Sequence, residues 1–99
     1  MAIAKISIET EFLREFVRTY VSEIALTAKA LDDLLRVGVG LADVNYVLKK
    51  GRVIMSEKEE PDGAKWIVEG DTCDGENLNI SLHVWCDRYQ VRVLRVLKI

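Results

Sequence analysis

From Asn77 to Cys86, apolar and polar side chains alternate along nearly the whole stretch. A β-strand turns such an alternation into two distinct faces, because successive side chains leave it on opposite sides. Leu78, Ile80, Leu82, Val84 and Cys86 then share an apolar face, and Asn79, Ser81, His83 and Trp85 share a polar one. The only histidine of the chain is therefore expected beside an aromatic ring, on the polar surface of a sheet.

The rest of the second half also reads as strands. They are expected at Arg52 to Ser56, Ala64 to Glu69, Leu78 to Cys86, and Tyr89 to Ile99. Between them lie turn residues: Pro61-Asp62-Gly63, Asp74-Gly75, and the short Asp87-Arg88 link, which implies a tight hairpin. A four-stranded antiparallel meander is the simplest arrangement. The last strand is apolar in both registers, with Val91, Val93, Leu97 and Ile99 on one side and Leu94 and Val96 on the other. Such a strand is either covered on both faces or bulges midway. As an open edge it would invite pairing, so a partner, a second copy or the N-terminal helix is expected to cover it.

The first half reads as helices. Phe12, Leu13, Phe16, Val17, Tyr20, Val21 and Ile24 recur at helical spacing, with Thr10 as the expected N-cap and the aromatic stripe as core packing. Ala2 to Ile8 is expected to be a short edge strand or unstructured, and Ile24-Ala25-Leu26-Thr27 a short strand or a continuation of the helix. Thr27 caps a second helix that ends at Gly38. A third carries Leu41, Val44, Val47 and Leu48 on one face, Lys49 and Lys50 in its last turn, and Gly51 as its stop. Helices followed by strands imply an α+β fold, with N-terminal helices packed on a four-stranded antiparallel sheet.

At 99 residues the chain is expected to form one domain, 1–99, with 1–23 an extra segment before a core at 24–99. No apolar run reaches the roughly 18 residues of a membrane span and no secretory leader is evident, so a cytoplasmic protein is expected, with no membrane partner. The net charge of −2 argues against a general nucleic-acid binder, yet the charge is uneven. Eight acids fall between Glu57 and Glu76, whereas Arg88, Arg92, Arg95 and Lys98 follow with no acid among them. That basic last strand can hold a phosphate or an acidic partner. A helix-turn-helix reading of the second and third helices is opposed by Asp32, Asp33 and Asp43, which would face phosphates. Cys86 reads as a small buried hydrophobe and Cys73 as an exposed loop residue. A Cys73/His83/Cys86 metal site is disfavoured, since His83 and Cys86 have opposite parity on one strand. No metal and no cofactor is expected.

The run Lys29-Ala30-Leu31-Asp32-Asp33-Leu34-Leu35-Arg36-Val37-Gly38-Val39-Gly40-Leu41-Ala42-Asp43-Val44, followed by Gly51-Arg52-Val53-Ile54, resembles an uncharacterised family of small bacterial proteins. Its pattern is H-A-x-x-R-M-x-x-R-G-I-S-x-x-D-V, then G-x-V-I, an aromatic-L-V-x-G strand, a P-L-H-V-V strand and a T-V-Y-R strand. Trp66-Ile67-Val68-Glu69-Gly70, Ser81-Leu82-His83-Val84 and Arg92-Val93-Leu94-Arg95 are similar to those three strands. The likeness spans about Leu26 to Val96. It departs from the pattern at Lys29 (His there), Asp33 and Val37 (Arg there) and Leu94 (Tyr there), leaving His83 and Arg95 of the polar set.

The resemblance implies a RelE/ParE-like toxin fold, whose classical members cleave mRNA or poison gyrase and are neutralised by an antitoxin. Such a ribonuclease needs a base for the 2′-hydroxyl proton and cations for the developing phosphorane charge. His83 and Arg95 are the candidate catalytic residues, and Lys65, Trp66, Trp85 and Arg92 the candidate substrate-binding residues, with Trp85 able to stack a base. Packing against the extra helix is the competing role for Trp85. A toxin–antitoxin component acting on RNA or another macromolecule is expected, with an antitoxin, RNA or another protein as partner. The alternative is a non-catalytic interaction module, or a homodimer through the last strand.

Overall fold

The computed structural model describes residues 2–20, 24–58, 63–85 and 87–99, with side chains of the first helix from Ile8 onward. The fold is α+β. The chain runs α1 (Ala2–Tyr20), β1 (Ile24–Leu26), α2 (Ala28–Val37), α3 (Leu41–Lys50), β2 (Arg52–Lys58), β3 (Ala64–Asp71), β4 (Asn77–Trp85) and β5 (Gln90–Lys98). The strands form one mixed sheet in the order β1-β5-β4-β3-β2. Instead of four antiparallel strands there are five among the described residues, the added one being β1, parallel to β5. Three residues ahead of a helix cap, Ile24 to Leu26, are too few for sequence periodicity to separate strand from helix.

Leu13, Phe16 and Val17 of α1, Ala30 and Leu34 of α2, and Val44, Val47 and Leu48 of α3 join one core with Val53, Trp66, Val68, Leu78, Ile80, Leu82, Val84, Val91, Val93 and Val96. All three helices thus cover the same face of the sheet. Thr27 caps α2, its Oγ1 accepting from the Ala30 N–H at 3.0 Å, and Gly38 ends the helix in the left-handed conformation at φ 83°. Asp43 reaches back to the Gly40 N–H at 3.0 Å to open α3. At its other end the Arg14 guanidinium donates to the carbonyls of Lys50 and Gly51, where a cation suits the helix dipole.

Two expectations for the first segment are overturned. Ala2 to Ile8 belongs to α1, and Thr10, rather than capping a helix, lies inside it. Its hydroxyl is buried and accepts the Val53 N–H of edge strand β2 at 2.9 Å. Next to it, Glu9 accepts from the Ser56 hydroxyl. The polar stripe of α1 that resembled a helix start seals a sheet edge instead.

The outer side of β5 is covered in a similar way by elements of this chain, β1 and α2, and not by α1. Strand β1 pairs with Val91 to Val93. Beyond it, the Thr27 hydroxyl donates to the Leu94 carbonyl, and the fully buried Asp33 carboxylate accepts the Val96 N–H at 3.0 Å. Pairing with β4 steps from Leu82↔Val93 to Ser81↔Arg95, so Leu94 is an extra residue and β5 bulges there. The bulge shifts side-chain parity by one. Val91, Val93 and Val96 consequently all enter the core, which accounts for apolar residues in both registers.

Candidate functional site

His83 lies on the sheet face turned away from the helices. Its strand alternates as expected, with Leu78, Ile80, Leu82 and Val84 buried beneath the helices and Asn79, Ser81, His83 and Trp85 on the other side. Cys86, expected to extend the apolar set, lies outside the described residues.

Strand register then decides which sequence candidates meet. His83 is flanked directly by Lys65 on β3 and Arg92 on β5, and Lys65 in turn by Glu57 on β2. Directly opposed side chains on one face have Cβ atoms about 5 Å apart. The row Glu57–Lys65–His83–Arg92 thus runs across four strands, with its acid at the β2 end and cations on either side of the imidazole. Two residues along β4, the Trp85 ring stacks on the His83 ring with centroids 4.1 Å apart and planes 11° from parallel. The Arg92 and Arg88 guanidinium carbons lie over the Trp85 ring at 5.3 and 5.5 Å from its centroid. Cations over an indole face gain from its quadrupole. Trp85 therefore does not pack on the extra helix.

Trp66 does. It is 3% exposed, pairs with Leu82 on the core face, and meets Phe12 of α1 edge-to-face with ring centroids 5.9 Å apart. Arg95 is also drawn out of the cluster. Its Nε and Nη2 donate to the two oxygens of Asp33 at 2.7 and 3.3 Å. The Arg95 guanidinium and the Val96 N–H together lower the Asp33 carboxyl from 3.8 to about 2, with the Arg36 guanidinium 3.1 Å from Asp33 adding to the effect. In return Asp33 raises the already high guanidinium value of Arg95. An arginine in that pair orders the β5 edge and is poorly placed to serve a substrate.

Two members of the site escape a reading of the sequence alone. Arg88 sits in the β4–β5 turn; the sequence placed it in the basic C-terminal run but not among the candidate site residues, and its contact with the Trp85 ring depends on how that turn folds. Gly63, at φ 109°, packs against the cluster. A Cβ there would sit 2.9 Å from His83 Nε2, 2.7 Å from the Val84 carbonyl oxygen and 3.1 Å from Trp85 Cδ1. Only glycine fits both that backbone angle and that space.

No family model, curated protein or solved structure matches the chain. What the site can do is therefore argued from its chemistry. Among the described residues no group of three or more His, Cys, Asp or Glu side chains could hold a metal ion. Nor is any described helix long and apolar enough to cross a membrane. What the site offers is positive charge beside stacked rings: Lys65, Arg88 and Arg92 around His83 and Trp85. Guanidinium and ammonium groups are the usual partners of phosphate oxygens.

Proposed function

We propose that this protein is an RNA-binding member of the RelE/ParE-like toxin type, and that it takes single-stranded RNA on the sheet face carrying Lys65, His83, Trp85, Arg88 and Arg92. One observation carries the reading: the cross-strand row Lys65–His83–Arg92, with Trp85 stacked on the imidazole under two guanidiniums. Further support comes from the extent of the sequence resemblance, about Leu26 to Val96, which takes in α2, α3, β2 to β4 and most of β5 and leaves α1 and most of β1 outside.

The overall charge of −2 does not oppose this, because the row is polarised. Its acid, Glu57, stands at the β2 end, so a strand of phosphates crosses β3 to β5, over Lys65 and Arg92. Phosphates neutralised by such groups release condensed cations, and affinity falls as salt rises, with a slope of about −0.7 per contact for single strands.

A second reading, cleavage, is favoured by the placement of His83 between two cations. The imidazole would take the 2′-hydroxyl proton, and the 2′-oxygen would attack the adjacent phosphorus. The P–O5′ bond would break to leave a 2′,3′-cyclic phosphate, and water would protonate the departing 5′-oxygen. Lys65 and Arg92 would stabilise the charge on the phosphorane.

Labelled single-stranded RNA incubated with wild type, His83→Ala and a Lys65→Gln/Arg92→Gln double variant tests both readings. Binding that weakens at least tenfold in the double variant, with a flatter salt dependence, supports the RNA-binding face. Cleavage lost in His83→Ala supports the second reading, and equal, negligible cleavage in both removes it while leaving binding in place. Failure of the wild type to bind RNA at low salt eliminates both.

A further inference from the structure

The row across the open sheet face ends in a charge that a phosphate backbone avoids. Glu57 on β2 is exposed and stands directly opposite Lys65, one strand beyond the last cation of the row. It differs from the other acids of this face. Glu69 lies 3.8 Å from the Arg52 guanidinium, and Asp71 accepts from the Asn77 side-chain amide at 2.6 Å. Among the described residues no ion pair or side-chain hydrogen bond holds Glu57, not even with Lys65 beside it. A carboxylate accepts hydrogen bonds and donates none, so at the end of a phosphate track it repels a further phosphate and takes hydroxyl donors.

We infer that Glu57 reads the end of the RNA, accepting the 2′,3′-diol of the 3′-terminal ribose while Lys65 and Arg92 hold the phosphates before it. The inference rests on the RNA-binding reading and adds to it a place for the chain to stop. Register carries it. Neighbouring strands lie about 5 Å apart, so Lys65 and Arg92, with His83 between them, stand about 10 Å apart across the sheet. Glu57 comes one further spacing after Lys65, and in an RNA chain the group that follows a phosphate is its ribose. A 3′-terminal ribose offers two adjacent hydroxyls, which match the two oxygens of one carboxylate, whereas a 5′ end offers a single hydroxyl. An internal nucleotide would instead bring its next phosphate close to Glu57, where like charges repel. Because β2 is the outer strand on that side, no further strand among the described residues supplies a cation for that phosphate.

The chemistry of the RNA end separates this role from charge alone. Equilibrium binding is measured for three heptauridylates: one with hydroxyls at both ends, one with a 3′-phosphate, and one with a 5′-phosphate. The proteins are wild type, Glu57→Gln and Arg92→Gln, each first checked by thermal melting. Wild type is expected to bind the hydroxyl-ended chain about 10- to 100-fold tighter than the 3′-phosphate chain, the scale of a hydrogen bond to a charged group. A face that recognises charge alone would prefer the 3′-phosphate chain, which carries more of it. Glu57→Gln should lose the preference, and Arg92→Gln should weaken all three ligands while keeping it. Adding a 5′-phosphate should not weaken binding to wild type. A 3′-phosphate chain bound by wild type as tightly as the hydroxyl-ended one, or a preference that survives in Glu57→Gln, would overturn the end-reading role alone. Rejection of the 5′-phosphate chain in its place would put the other end at Glu57 and overturn the 3′ assignment. A wild type that binds none of the three would overturn it together with the RNA-binding face.

Discussion

The carboxylate of Asp33 accepts the backbone N–H of Val96 at 3.0 Å, so a helix side chain takes the place of a neighbouring strand at the edge of β5. The same carboxylate receives Arg95 through two nitrogens. Asp33→Ala leaves both a buried amide and a guanidinium without their acceptor. It is expected to cost about 3 kcal/mol in urea unfolding, the usual scale for breaking one side of a buried pair. Arg95→Met should cost clearly less, since Asp33 keeps Val96 and Arg36. Equal costs would show that the ion pair, not the strand edge, is what Asp33 serves.

Acid should expose the same group. The Asp33 carboxyl is held at about 2 against an ordinary 3.8, so the folded protein favours its ionised form. Its contribution is fully present above pH of about 4 and disappears as pH falls from there through about 2. Midpoints of urea unfolding followed across that window should fall in wild type, and Asp33→Asn should remove this part of the fall.

At the opposite edge Thr10 plays the matching part. Thr10→Val preserves shape but leaves the buried Val53 N–H without its acceptor. A loss of about 1–3 kcal/mol is expected by urea titration, the penalty for an orphaned buried donor. A neutral result would show that water reaches the β2 edge.

Gly63→Ala tests how closely the site is built. The new methyl must displace the Val84 carbonyl, the His83 ring or Trp85, in a backbone conformation unfavourable to alanine. Thermal stability should drop by about 1–3 kcal/mol, and the Trp85 fluorescence should change because its stack with His83 is disturbed. An unaltered spectrum would mean that the loop yields instead of the rings.

Period-two alternation made β4 and the placement of its histidine legible, because one face is greasy and the other is not. Thr27, Gly38 and Gly51 marked helix boundaries through local hydrogen bonding and backbone freedom, which need no tertiary information. What stayed hidden depends on contacts distant in sequence. Thr10 has the chemistry of a cap, and only the approach of Val53, 43 residues away, makes it an edge seal. Asp33 looked like a polar residue lost from a family pattern; its partners are 62 and 63 residues on. Lys65, His83 and Arg92 could not be joined without strand register, and parity alone placed neither Trp66 in the core nor Arg95 at the edge.

The RNA-binding face is tested most directly by nuclear magnetic resonance titration of nitrogen-15-labelled protein with single-stranded RNA. Shifts are expected at the amides of Lys65, His83, Arg88 and Arg92 and at the Trp85 indole, while the buried Trp66 indole and the α2–α3 surface stay in place. Shifts confined to the helices, or none at millimolar RNA in low salt, would contradict it.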